Sequence, residues 1–167
     1  STLTWAKDAV QIQLSDVSAD FFSVVGVAPV LGRSFIAEDA PPGSPRRALV
    51  VSYEFWQRVY GGGRDIIGQA VEVDGRKVTI VGVMPRGFWL FPWASRTDAW
   101  LPRNLRMPPN TRWLTPIGRL KPGATLEQAR AEMKVLFRRL VEGEPGVYKG
   151  WDIQVESLHE WSVGGSR

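Results

Sequence analysis

A catalytic reading of this 167-residue chain would have to begin at His159, its only histidine. An imidazole can act as general base or metal ligand. Here no Ser or Asp stands at a motif spacing from it, and the chain has no Cys to complete a common zinc site. His159 therefore reads as a surface residue near the end of a strand. Gly61-Gly62-Gly63 invites comparison with a phosphate cradle, but such loops run strand, glycine-rich turn, helix. These glycines follow a helical pattern and lack Gly-Lys-Ser or Gly-Lys-Thr, so they read as a helix stop. Glu38–Asp39 is a carboxylate pair of the kind used for acid–base work. It lies in the Pro-rich "EDAPPGSPRR" and reads as solvated surface. No catalytic, cofactor-binding or metal-ligating residue is assigned, and the chain is expected not to be an enzyme. A hydrolase using unrecognised carboxylates is the catalytic alternative.

Binding chemistry is better represented. Arg86, Arg96, Arg103, Arg106 and Arg112 interleave with Trp89, Phe91, Trp93, Trp100 and Trp113. Aromatic platforms between cations can stack bases or sugars. The same composition marks protein contacts, or aromatics that close one end of a core. Trp89, Phe91 and Trp93 are the candidate partner-contact residues. The net charge of +4 and pI near 9.8 would suit nucleic acid, an anionic membrane surface or an acidic protein. No nucleic-acid-binding motif accompanies the charge, so nucleic acid is not expected as a partner.

These residues must be held by elements that the periodicity outlines. "AVQIQLSDV" (9–17) alternates as a half-buried strand. Ser18 then caps a short helix carrying Phe21, Phe22 and Val25, which Gly26 stops. Pro29 and Gly32 keep the chain irregular as far as a Pro-rich loop at 38–47. "ALVVS" is a short buried strand, and Ser52 caps the helix "YEFWQRVYG". "AVEVDGRKVTIVGV" is two alternating runs joined by Asp74–Gly75, a two-residue hairpin. A short strand is expected around Asp98 to Leu101, and edge-strand character at "RWLTPIGRL". Thr125 and Gln128 form a capping box for a helix from Leu126 to Glu142. Its stripe of Leu126, Ala129, Met133, Leu136, Phe137 and Leu140 predicts packing on a sheet. "WDIQVESL" (151–158) reads as a final strand. No window approaches the 18 or more apolar residues expected of a membrane-spanning helix.

In order and spacing, "VSADFFSVVGVAPVLGRSF", "VVSYEFWQRVYGG", "IIGQAVEVDGRKVTIVGVMPRGF", "DAWLP" and "GRLKPGATLEQARAEM" resemble the MacB-like periplasmic core domain of ABC transporter permeases. The resemblance runs from about Val10 to Gly164. It implies an α+β fold of two lobes: a split, porter-like βαβ lobe built from both chain ends (1–47 and 106–167), with a β-rich lobe (48–105) inserted between them. The strands at 9–17 and 151–158 would then share one lobe.

The resemblance also implies a non-enzymatic extracytoplasmic domain on the periplasmic side of the inner membrane. It would couple ATP-driven movements of the membrane dimer to substrate export or to partner proteins. The implied partners are the transmembrane helices and cytoplasmic ATPase of the same transporter, a second permease copy, and in some members a periplasmic adaptor and an outer-membrane channel. No cofactor is implied in this domain, ATP being used by a separate or fused ATPase. The alternative is a free-standing extracytoplasmic binding protein for a lipid, peptide or glycan.

Overall fold

Asp74 and Gly75 form a two-residue turn between two antiparallel strands. Both adopt positive φ (48° and 77°), the geometry that lets two strands reverse without splaying. A computed structural model describes residues 1–5, 8–42, 45–88, 97–103, 115–148 and 150–160. The hairpin joins β6 (Ala70–Val73) to β7 (Arg76–Val83). Asp74 locks it by accepting from the Thr2 amide through its carboxylate (2.8 Å) and donating its own amide to the Thr2 carbonyl (3.0 Å).

The chain divides into two compact units, 1–107 and 108–167. The first holds a mixed sheet. Its remaining strands are β1 (Thr2–Trp5), β2 (Asp8–Gln11), β3 (Leu14–Ser18), β4 (Leu31–Gly32), β5 (Ala48–Val51) and β8 (Ala99–Arg103). Their order is β2-β1-β6-β7-β5-β8-β3, with β4 alongside β7. The predicted strand 9–17 is bent. Its first half pairs with β1 and its second half runs parallel to β8. At the bend, Ile12 exchanges backbone bonds with Ser1, and Gln13 bonds to Asp98. One stretch of chain thus occupies both ends of the strand order.

β5 is buried along its whole length, as a strand covered on both faces must be. Leu49 and Val51 face a core with Leu3, Phe55, Ile80 and Leu101. Ala48 and Val50 face a second core with Phe22, Phe35, Met84 and Trp100. The helix α2 (Tyr53–Tyr60) covers the first through Phe55. As the sequence indicates, the Ser52 hydroxyl accepts from the Phe55 amide (3.1 Å), and Gly61 closes the helix at φ 59°. Burial pushes the Tyr60 phenol up to about 12. The helix α1 (Phe21–Val25) covers the second core and stops at Gly26, φ 79°. Its N-cap is Asp20 rather than Ser18, because Ser18 still belongs to β3.

The α+β class holds. β1 to β4, from residues 1–47, interleave with β5 to β8 of 48–103 in one sheet. Residues 9–17 lie in the first unit and 151–158 in the second. β3 finds its ladder on β8 by long-range pairing, about which local periodicity says nothing.

The second unit carries α3 (Leu126–Gly143) and the short α4 (Pro145–Tyr148). The capping box is present: the Thr125 hydroxyl accepts from the Gln128 amide (3.2 Å), and the Gln128 side chain accepts from the Thr125 amide (2.9 Å). The described residues 115–120 and 151–157 form no strand. In 151–157, half-buried Ile153, Val155 and Ser157 alternate with exposed neighbours. That is a strand's pattern without a ladder partner. The predicted packing of Met133, Phe137 and Leu140 on a sheet is also corrected. Met133 is 36% and Leu140 53% exposed, and only Phe137 is partly covered, against the Tyr148 ring at 6.1 Å.

Candidate functional site: interaction surfaces

The Arg/Trp-interleaved segment separates into members with different roles. Trp100 sits on β8 and is 5% exposed. It stacks edge-on against Phe22 (5.7 Å) and Phe88 (5.5 Å). It is a core residue, which the reading of these aromatics as a closure of the core anticipates. Arg103, at the end of β8, pairs with Asp16 at 3.0 Å, and Arg46 grips the other oxygen of the same carboxylate. Arg86 is exposed beside a turn. Trp89, Phe91 and Trp93, the candidate partner contact, lie outside the described residues, as do Arg96, Arg106, Arg112 and Trp113.

The carboxylates hold structure. Glu38 is exposed, as expected of a solvated pair. Asp39 is the correction, with 6% of its surface exposed. It ends a short 3-10 turn (Ala37–Asp39) that folds back over the sheet. Its oxygens accept from the Arg33 guanidinium at 2.7 and 3.0 Å and from the Ile36 amide at 2.9 Å. Burial alone would raise its pKa, but the Arg33 hydrogen bonds and the Ile36 amide outweigh it and hold the carboxyl below its ordinary range. The usable signal is Arg33 six residues upstream in "GRSFIAED".

A pH dependence follows. A carboxyl whose folded pKa is depressed contributes stability above its unfolded pKa of about 3.9, and loses it as pH falls through the folded value. Asp39→Asn should lower stability at pH 7 by about 2 kcal/mol. The gap to the parent should close in thermal melts taken progressively below about pH 4. A gap that is constant from pH 7 to pH 2 would show that the Asp39 charge contributes nothing.

A depression of about 270 Å³ opens among Leu14, Val73, Val78 and Leu101, rimmed by Arg46, Arg76 and Asp74. Its carboxylate, Asp74, is held below the usual range first by the Thr2 amide, and so serves the hairpin. Arg46 is engaged by Asp16. His159 is exposed in the helical turn at 158–160. Among the described residues no group of His, Cys, Asp and Glu could hold a metal ion. No described helix is long and apolar enough to cross a membrane.

The second unit presents an apolar row among charged side chains. No described residue of 115–160 is buried, and Leu136 (50% exposed) stands with Met133 and Leu140 along one side of α3. Arg130 on the same helix donates to the Val155 carbonyl (2.9 Å), which ties the extended segment 151–157 to α3.

The chain superposes on the crystal structure of the periplasmic region of MacB from Actinobacillus actinomycetemcomitans with a TM-score of 0.64 and 13% identity, covering 99% of this chain and 72% of that one. A domain of a protein described as a permease, from Porphyromonas gingivalis, aligns with a TM-score of 0.53 and 20% identity over 86% of this chain and 68% of that one. The extracellular domain of the ABC-type transporter YknZ from Gram-positive bacteria aligns at 21% identity over 60% of this chain, with a TM-score of 0.47. The chain spans about half (48%) of that domain's length. A search of curated protein sequences finds no match. The family model for the MacB-like periplasmic core domain matches residues 2–136, from β1 into α3. The chain belongs to the MacB-like periplasmic core domain family.

Proposed function

We propose that this domain is the extracytoplasmic, periplasmic-side part of an ABC permease in the inner membrane, and that it passes movements driven by a cytoplasmic ATPase to an exported substrate or to partner proteins. The observation that carries this reading is the family match over residues 2–136. In support, Asp16, Asp39, Asp74 and Asp98 are engaged in turns and ion pairs, and α3 exposes Met133, Leu136 and Leu140. ATP is consumed by an ATPase domain, fused or separate, and the domain itself takes no cofactor. Its partners are the transmembrane helices and ATPase of the same transporter and a second permease copy, with a periplasmic adaptor and an outer-membrane channel as further candidates. Trp89, Phe91 and Trp93 are the residues proposed to touch such a partner.

This chain has no cysteine, and any cysteines elsewhere in the transporter are replaced by serine for the test. Full-length transporter carrying single cysteines at exposed Arg64 and Glu132, one in each unit, is labelled with spin probes and reconstituted with its ATPase. The inter-label distance distribution should change between the nucleotide-free and ATP-trapped states. An unchanged distribution in an actively hydrolysing transporter would overturn the coupling role.

A further inference from the structure

The sheet of the first unit returns on itself. β2 and β3 stand at the two ends of its strand order, yet they are one stretch of chain joined through Ile12 and Gln13. The strands therefore wrap around the first core, and the mouth of a wrapped sheet is a favoured place for a small ligand. One end of that core stays open. Val73, Val78 and Leu101 are core residues, with Leu14 packed against them. The same four form the apolar wall of the depression of about 270 Å³. A dry apolar cavity of about 150 Å³ accommodates one benzene, so this space takes a longer body. Its wall is branched aliphatic and carries no aromatic ring for stacking.

The rim is charged. Arg46 and Arg76 border the depression, with Asp74 between the strands beside them. Arg46 is engaged by Asp16 through Nη1 alone among the described residues, and a guanidinium carries further donors in a planar fork suited to carboxylates. Arg76 is exposed and enters no ion pair with a described residue. Asp74 already accepts from the Thr2 amide. Counting Asp16 and its second partner Arg103, three arginines stand against two aspartates, a net charge of +1. That balance suits one negative charge and leaves a dianion undercompensated. A peptide is disfavoured, because its amide groups would lose water against Leu and Val side chains without gaining partners.

We infer that the open end of the first core binds a medium-chain aliphatic monocarboxylate. Its chain lies against Leu14, Val73, Val78 and Leu101, and its carboxylate meets Arg76, with Arg46 alongside. The inference rests on this cavity and not on the coupling role proposed above, so either can fail alone.

The experiment titrates octanoate, below its micelle concentration, into the 167-residue chain. Amide NMR locates the site and calorimetry gives the affinity. Saturable shifts are expected at Leu14, Val73, Val78, Leu101 and the turn at 74–76. Octanol, which has the same chain without the charge, should bind about tenfold more weakly. Arg76→Gln, at an exposed position, should keep the parent's melting temperature. It should weaken octanoate about tenfold while leaving octanol unchanged. Shifts that never saturate, or that fall on α3 instead, would overturn the inference. So would equal affinities for octanoate and octanol, or octanoate binding that Arg76→Gln leaves intact. Tighter binding of N-acetyl-leucyl-leucine than of octanoate would also overturn it, by assigning the site to a peptide.

Discussion

Phe22→Ala is expected to destabilise the first unit by about 3–5 kcal/mol, a large share of the roughly 5–15 kcal/mol that holds a typical domain folded. Phe22 is fully buried at the centre of the second core. Its ring meets Phe21 at 5.2 Å, Phe35 at 5.5 Å, Trp100 at 5.7 Å and Phe88 at 5.9 Å. Truncation removes the ring to which α1, the irregular 27–36 stretch, β8 and the turn at Phe88 are all attached. The surrounding strands cannot collapse into the space because β5 is held from both faces. Thermal or urea unfolding followed by near-ultraviolet circular dichroism would report it through the Trp100 signal. Phe21→Ala, at a half-buried position, should cost much less. A Phe22→Ala midpoint within a few degrees of the parent would mean that the second core is not organised around this ring.

The second large effect is expected at Gly82→Val. β4 pairs antiparallel with β7, and Gly32 lies directly opposite Gly82. A Cβ on Gly82 would run into the Arg33 carbonyl oxygen, and one on Gly32 into the Val81 carbonyl oxygen. Gly32 also holds φ 75°, in the left-handed region. The two backbones touch where any side chain would stand, so Val30 and Arg33 can donate to the Val83 and Val81 carbonyls, both at 2.8 Å. A valine at 82 must displace β4 and break these bonds, a loss of about 3 kcal/mol. Gly118→Ala, with open space around it, is the matched control and should leave the melting temperature unchanged. Equal melting temperatures for the two variants would show that the β4 pairing contributes nothing.

That contact also explains Gly32 in the stretch from Val17 to Phe35, which runs alongside β7 at Leu31–Gly32. Its Phe pair was legible as a packing face from sequence. The reason for Gly32 was not, because the backbone it meets is about fifty residues away. The same distinction runs through the rest of the chain. The Asp74–Gly75 hairpin, the Ser52 cap, the Gly61 stop and the Thr125–Gln128 box were readable because each is decided within four residues. The parallel pairing of β3 with β8, the burial of Asp39 and the place of Trp100 in a core all depend on partners that sequence does not bring together.

The helix α3 teaches a different lesson. An amphipathic stripe shows that a face needs covering, but not whether the cover lies within the chain. Reading the stripe as proof of internal packing misassigned Met133 and Leu140. Family membership was readable because it depended on the order of short local motifs rather than on what covers that face. Of the candidate contact, Trp89, Phe91 and Trp93 lie outside the described residues, while neighbouring Phe88 and Trp100 belong to the second core.

The bent stretch from Asp8 to Ser18 has a kinetic consequence. Its first half can pair early, since β1 and β2 are joined by a two-residue connection. Its second half must wait for β8, more than eighty residues later in the chain. The bond from Gln13 to Asp98 therefore closes one of the longest loops in the first unit. Loop-closure entropy is paid before such contacts return anything, which slows folding relative to a sheet of local hairpins. Until β8 arrives, β3 and one side of β5 remain unpaired strands of the kind that seed association between nascent chains. For a domain that emerges on the far side of a membrane, the vulnerable interval is thus the synthesis and translocation of everything between Ser18 and Ala99.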